Sequence, residues 1–387
     1  MKPLRLAIVA QRFWPRVGSL ETRAGQLACG LADAGMEVTI VTGRWQPHWP
    51  VEISYHGIPV VRLAPPPVGR WNTWRWTHSL THWLRQHAGR FDVFCVWGLM
   101  HEAAAVVRAT GPQMPVVLVP ERVGWHGDCF RQVRVFGGHG IKCACLRARA
   151  FVANSPAARR ELEAAGYPRE RIVDVPLGVR RLPRRGPQTQ IEARDLLAES
   201  NLALQTVAHA PLAVSTSRLA AGRGWEQLLA AWSIVVRQKA AARLWLAGES
   251  PATAVMQRIE ALGLRPWVTL LGMFDDVEGL LAAADVHVAP ATDGSPQAIV
   301  EAMAAGVPSV AVDAHLNRWL LGNDDAGLLV PADNPAAFAA AIRRLLDDPP
   351  LAARLGAAGQ QRVEAEFDLG KVVEKYLELF EDVCARI

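Results

Sequence analysis

Several features are missing from this chain, and each absence excludes something. No stretch approaches the ~20 consecutive apolar residues of a membrane-spanning helix, although half of the 387 residues are hydrophobic. The apolar run at the amino terminus stops before Gln11. That is too short for a secretory signal and reads as the first strand. The six cysteines (Cys29, Cys95, Cys129, Cys143, Cys145 and Cys384) include no CxxC pair, and Cys143–Ala144–Cys145 is a poor zinc clip. They are expected to be reduced, structural thiols of a cytoplasmic protein, with no metal ligand set among them. The turn after the first strand lacks GxGxxG, so a dinucleotide-binding reading fails at its most diagnostic place. No lysine-rich tail, nucleic-acid motif or internal repeat is evident.

What is present is length, alternation and an uneven charge. A chain of 387 residues is too long for one ordinary core and comfortable for two α/β domains. Residues 1–187 hold 26 Lys and Arg against 12 Asp and Glu, a balance of +14, whereas residues 188–387 hold 16 against 25, a balance of −9. A basic half joined to an acidic half suggests that the first half meets something anionic. Without a nucleic-acid motif, an anionic lipid surface or a phosphorylated acceptor is expected rather than DNA or RNA.

The segment DVHVAPATDGSPQAIVEAMAAGVPSVAV (Asp285–Val312) organises the second half. Asp285–Ala289 reads as a buried strand and Val307–Val312 as the next. Between them Ser295 and Pro296 fit the N-cap and first position of a helix that Gly306 and Pro308 close. A helix that starts at the carboxyl end of a strand lies where open α/β sheets bind ligands. Asp293 in the loop and Glu301 on the helix are the carboxylates there, and Gly294 lets backbone come close to a ligand. Ionised carboxylates accept hydrogen bonds from sugar and ribose hydroxyls, while the helix N-terminus suits anions. An ordinary parallel-sheet unit with solvated acids fits the same spacing.

Along the chain, strands are expected at Leu4–Ala10, Met36–Gly43, Ile58–Leu63, Asp92–Trp97, Pro115–Val119, Ala150–Asn154 and Arg171–Val175. Gly18 and Ser19 give a flexible approach to a helix from about Glu21 to Ala34. In Gly69–His87, the residues Trp76, Leu80, Trp83, Leu84 and His87 share one helical face. That face is either an interfacial membrane contact or a stripe under the first sheet. The loop Pro120–Phe130 carries Glu121, Arg122, His126 and Asp128, placed for acceptor or catalytic work or simply solvated. A Pro-, Gly- and Arg-rich linker is expected from Leu182 to Gln190. After a strand at Pro211–Thr216, SRLAAGRG turns into a helix, with Arg218 and Arg223 bracketing the turn at the carboxyl end of that strand. Planar guanidinium forks suit a diphosphate, although surface arginines look the same in sequence.

Taken in order, SRLAAGRG, LWLAGES, VTLLG, ADVHVAPATDGSPQAIVEAMAAGVPSVAV and AGLLVPADNP resemble the GT-B glycosyltransferases of family 4 (glycosyl transferases group 1), as does VANSPAARRELEAAGYPRERIVDVPLGV before the linker. The resemblance implies an α/β fold of two Rossmann-like domains facing each other across a cleft. They would span 1–183, with about 370–387 crossing back onto it as a terminal helix, and 184–369. It implies a retaining glycosyltransferase that moves a sugar from a nucleotide-sugar to a glycan or lipid-linked acceptor, in surface polysaccharide or glycolipid synthesis, with no metal or other cofactor. The protein would be cytoplasmic, peripheral on the inner face of the membrane.

By position, Glu301 resembles the acid that holds ribose hydroxyls, and Asp293 stands where the family has glutamate against the transferred sugar. Arg218 matches the phosphate arginine, and Arg223 stands in place of lysine. Gly18 and Ser19 stand where the family has Gly-Gly, and Gly294 and Ser295 complete the donor set. His126 is the nearest substitute for a histidine that is absent after Pro115–Val119, while Glu121, Arg122 and Asp128 fall on the acceptor side. Ser217 replaces a glycine, and AHLNRWLLGNDD lacks the usual glycine pair. A non-catalytic scaffold that binds nucleotide-sugar or lipid, and a nucleotide-sugar epimerase, share the same motifs.

Overall fold

Short β-branched runs bounded by Gly and Pro alternate with longer amphipathic stretches along the whole chain, and they fold as a succession of strands and helices. A computed structural model describes residues 3–16, 18–66, 68–124, 127–183, 186–206, 210–292 and 296–385. The chain divides into two compact units, Met1–Gly178 with Leu369–Ile387, and Val179–Asp368. Each has its own sheet.

The first unit contains β1 (Arg5–Ala10), β2 (Glu37–Gly43), β3 (Glu52–Tyr55), β4 (Ile58–Leu63), β5 (Val93–Trp97), β6 (Val116–Val119), β7 (Ala150–Ala153) and β8 (Ile172–Asp174), ordered β3-β4-β2-β1-β5-β6-β7-β8. All neighbours are parallel except β3 and β4. The edge strand β3 was not expected from sequence. It returns through His56 and Gly57, both at positive φ, which is the two-residue hairpin geometry. His-Gly is a weaker signal for that turn than Asn-Gly.

Alternate residues of the central strands face opposite layers. Ala7, Val9, Phe94 and Val96 pack with Trp76, Leu80 and Leu84 of the helix Gly69–His87. Leu6, Ile8, Ile40 and Cys95 pack with the helix Ser19–Asp33 and with Val372, Tyr376 and Phe380 of the helix Leu369–Ala385. The terminal helix is therefore a core element of the first unit. The stripe on Gly69–His87 is a core face, whereas Trp71 and Trp74, on the same helix, are 68% and 58% exposed with their rings stacked 5.2 Å apart.

Two helices after β6, Asp128–Arg134 and Gly138–Cys145, occupy what the sequence suggested as a loop followed by unassigned chain. The expected linker is shorter than 182–190, because Pro187 follows Gly186 and opens the helix Pro187–Ser200 at its first position. A further helix, Pro349–Arg362, was also not expected; the Asp348 side chain caps it by accepting from the Leu351 N–H.

The second unit contains β9 (Leu212–Ser215), β10 (Arg243–Ala247), β11 (Val268–Gly272), β12 (Val286–Ala289), β13 (Ser309–Val312) and β14 (Gly327–Val330). They form an all-parallel sheet ordered β11-β10-β9-β12-β13-β14. The chain builds outward from β9 through β10 and β11, then crosses to the other side of β9 for β12. The strand order thus reverses between β9 and β12, and a crevice for a ligand opens at such a point, beyond the carboxyl ends.

Replacing the fully buried Phe380 by Ala should cost about 3–5 kcal/mol. A urea titration followed by circular dichroism should show the first unit unfolding at lower denaturant, and an unchanged profile would contradict the docking of the terminal helix.

Candidate functional site

The reversal point of the second sheet is held shut by backbone. The turn Ser217–Gly224 leaves β9, and Gly224 sits at φ 73, with Pro290 from the segment after β12 so close that a Cβ at 224 would stand 2.2 Å from its carbonyl oxygen. Gly248, after β10, has φ 140 and leaves room for the Ser217 carbonyl at 2.7 Å from where its Cβ would be. The Leu219 N–H donates to the Glu249 carbonyl at 2.9 Å. The buried Asn317 donates from Nδ2 to the carbonyls of Ala291 (3.3 Å) and Val312 (2.7 Å). Four strand ends, those of β9, β10, β12 and β13, are thereby drawn into one rim.

Arg218 and Arg223 lie on that rim. Arg218 Nε stands 3.4 Å from the Glu249 carboxylate, both side chains being roughly half exposed. Such a pair contributes little in water and is easily exchanged for a stronger anion. Beyond the rim runs the helix Pro296–Ala304, which carries Glu301. Burial, the dominant cause, pushes the Glu301 carboxyl up to about 7, the Gln297 hydrogen bond opposes this, and the charge of Glu278 adds to it. Gln297 donates from Nε2 to Glu301 Oε1 at 3.0 Å, and its own Oε1 is buried without a partner. His287, buried in β12 against Ser309 Oγ at 3.0 Å, is depressed to about 4 by burial and is neutral at ordinary pH. Asp293, Gly294, Ser295 and His126 lie outside the described residues.

Gly18 and Ser19 belong to the first unit. Gly18 is the N-cap of Ser19–Asp33 with extended backbone, and Ser19 is the exposed first helical residue, so the helix begins two residues earlier than expected. Glu121 and Arg122 pair with each other at 3.4 Å. Asp128 is buried as the first residue of its helix, with Oδ2 accepting from the backbone N–H groups of Leu99 (3.0 Å) and Glu121 (2.9 Å). Burial, followed by the charge of Glu121, pushes its carboxyl up to about 6. Asp128 thus fastens the loop after β5 to the loop after β6, a positioning role that its place in a glycine-rich segment did not reveal.

Sequence reasoning also missed Glu102. It is buried beneath Gly98, accepts from Gln11 Nε2 at 2.7 Å, and is pushed up to about 7, chiefly by burial. In the sequence it is one acid in an ordinary helix, and its only signal is a place just past β5, where this sheet reverses beside β1. Asn317 was likewise unmarked. Among the described residues, no group of three His, Cys, Asp or Glu could hold a metal ion.

The family model described as "Glycosyl transferase 4-like domain" matches residues 18–178, and that described as "Glycosyl transferases group 1" matches 210–348. The lipopolysaccharide core biosynthesis glycosyltransferase LpsD of Rhizobium meliloti (strain 1021) is 31% identical over 185 residues, 47% of this chain and 53% of that protein. The chain spans about half the length of the first curated relatives it matches. Among solved structures, sucrose-phosphate synthase from Thermosynechococcus elongatus aligns with a TM-score of 0.81 at 21% identity, covering 99% of this chain and 100% of the other. Anabaena HepE in complex with UDP and glucose aligns at 0.76 and 20% identity, covering 98% and 100%. These likenesses show the fold, GT-B. With a family model matching most of each unit, the chain belongs to the group 1 glycosyltransferases (family 4).

Proposed function

We propose that the protein moves a sugar from a nucleotide-sugar to a glycan or lipid-linked acceptor, as a step in assembling a surface polysaccharide or glycolipid. The observation that carries this reading is the reversal point of the second sheet, where the Arg218–Arg223 turn packs against the chain leading to Glu301. An ionised Glu301 accepts hydrogen bonds from ribose hydroxyls, and the two guanidinium groups hold the diphosphate in planar forks. The solved complex of HepE with UDP and glucose and the role printed for LpsD support the same class of donor and setting.

In this reading the acceptor oxygen attacks the anomeric carbon on the face the diphosphate leaves, so configuration is retained. The departing phosphate takes the acceptor's proton, and Arg218 and Arg223 stabilise the charge that develops on it. Stabilisation of that kind usually lowers such a barrier more than any other single effect. By their positions in the family's motifs, Asp293 is assigned to the transferred sugar, Gly294, Ser295, Gly18 and Ser19 to the donor, and His126 to catalysis. Glu121 and Arg122 face the acceptor, with Asp128 fixing their loop. Charge stabilisation by arginine requires no metal, so turnover should survive EDTA.

A thermal-shift panel of UDP-, GDP- and ADP-sugars tests the donor. One nucleotide class at ~100-fold over its dissociation constant should add about 2.7 kcal/mol, and Glu301→Ala should abolish the gain. A folded protein that responds to none of them would overturn the reading.

The raised carboxyl of Glu301 gives a pH signature. Between its ordinary 4.5 and about 7, the folded state keeps a proton that the unfolded chain has released, so this group lowers stability as pH rises through that window. Glu301→Gln should therefore be the more stable protein at pH 8 and nearly equal to wild type at pH 4 in urea titrations. Nucleotide affinity should rise from pH 6 to pH 8 in the wild type and stay flat in the variant.

We also propose docking on the inner face of an anionic membrane. The exposed Trp71 and Trp74 beside Arg70 and Arg75 suit the interfacial layer, and six cysteines outside any disulfide suit a reducing compartment. Replacing Trp71 and Trp74 together by Ser should reduce co-sedimentation with phosphatidylglycerol vesicles several-fold while leaving the nucleotide response intact. Equal sedimentation would remove this surface from consideration.

A further inference from the structure

The carboxyl edge of the first sheet carries a second concentration of chemistry that the donor site does not use. Arg62, in β4, is 3% exposed. Its guanidinium donates to the carbonyls of Pro50 (3.2 Å) and Trp14 (2.9 Å), and its Nε has no partner. The rings of Trp49 and Trp14 lie 5.4 and 6.0 Å away. Among the described residues no carboxylate pairs with it. A buried cation held by carbonyl dipoles and ring faces alone projects uncompensated positive potential into its surroundings.

Next to it, Arg12 and Arg16 each stand 4.7 Å from the ring centroid of Trp45. That indole is fixed by donating from Nε1 to the Gln11 carbonyl at 2.8 Å. A guanidinium stacked on a fixed ring has already lost part of its rotamer freedom, so it binds a planar anion at lower entropic cost. The charge of Glu21 meets both arginines, and burial raises its carboxyl. Trp14, at 45% exposure, leaves ring surface open to solvent, and an aromatic face of this kind covers the C–H face of a pyranose.

We propose that Arg12, Arg16, Trp14 and Trp45, over the buried Arg62, form a subsite for an anionic sugar, a pyranose bearing a carboxylate or a phosphate. Resting on the glycosyltransferase reading, this names the acceptor class. The guanidinium pair reads the anion, and Trp14 meets the ring. A lipid surface is the poorer fit, because the Trp45 ring is already covered by two guanidinium groups and cannot insert.

The test is calorimetric titration of the full chain with glucuronate, glucose 6-phosphate and glucose, for wild type, Arg12→Gln and Arg16→Gln, with the UDP thermal shift as a control. At least one anionic sugar should bind about tenfold or more tighter than glucose, and each variant should lose about tenfold, the loss expected for a charge-assisted hydrogen bond. The UDP response should not change. Binding of only one of the two anions would identify which anion the subsite takes. Glucose binding as well as both anions, anionic binding that survives both substitutions, or binding of phosphatidylglycerol vesicles with none of glucuronate or glucose 6-phosphate would each overturn the subsite. If the anionic sugars bind as expected but UDP and every other nucleotide fail, the donor reading falls and the subsite stands. If nucleotides bind and no anionic sugar does, only the subsite falls.

Discussion

The carbonyl of Pro290 occupies the space that a β-carbon at position 224 would need, and the architecture of the second unit turns on that contact. It exists because residue 224, the N-cap of the helix Trp225–Gln238, is glycine at positive φ, a conformation that glycine adopts at no steric cost. With the two backbones touching, the turn that bears Arg218 and Arg223 and the segment that leads to Glu301 form one rigid rim. Ser217 and Gly248 repeat the device one strand further along. Arginine and carboxylate side chains are long and mobile, and a rim built from backbone limits how far they can drift from one another.

Much of this was legible in sequence because parallel-sheet strands are short, β-branched and bounded by glycine and proline. The helix opening at Pro296, the strand of Val286–Ala289 and the glycines around Arg223 all follow from local chemistry. The reversal between β9 and β12 was not legible, since strand order is set by crossovers that no local pattern encodes. Glu102, and the burial of Asp128, escaped notice for a related reason. Their raised carboxyls come from burial and from neighbours far away in the chain, and in sequence an acid near the start of a helix looks solvated. The edge strand β3 and the helices Asp128–Arg134 and Gly138–Cys145 were missed because their signals are brief. A His-Gly turn and two helices of seven and eight residues give little periodicity to read.

The segment Gly69–His87 shows how one helix can bury one face and expose another. Its Trp76, Leu80 and Leu84 complete the core beneath the first sheet, and its first turns leave Trp71 and Trp74 in solvent. Tryptophan is costly to expose in isolation and comes here with arginine beside it. The charge asymmetry belongs to the same picture, with the basic excess gathered in the unit that carries the aromatic clusters and the acidic excess in the unit that carries the Arg218–Arg223 turn.

The helix Leu369–Ala385 lies in the core of the first unit, yet the whole of the second unit, Val179–Asp368, precedes it in the chain. On a ribosome the first unit is therefore left with an open hydrophobic face, the one that Val372, Tyr376 and Phe380 cover, until 190 intervening residues have been made. The second unit, contiguous in sequence, can close its core earlier. Synthesis order and folding order are thus reversed for the two halves, and during that interval the exposed face of the first is the part of the nascent chain most in need of chaperoning.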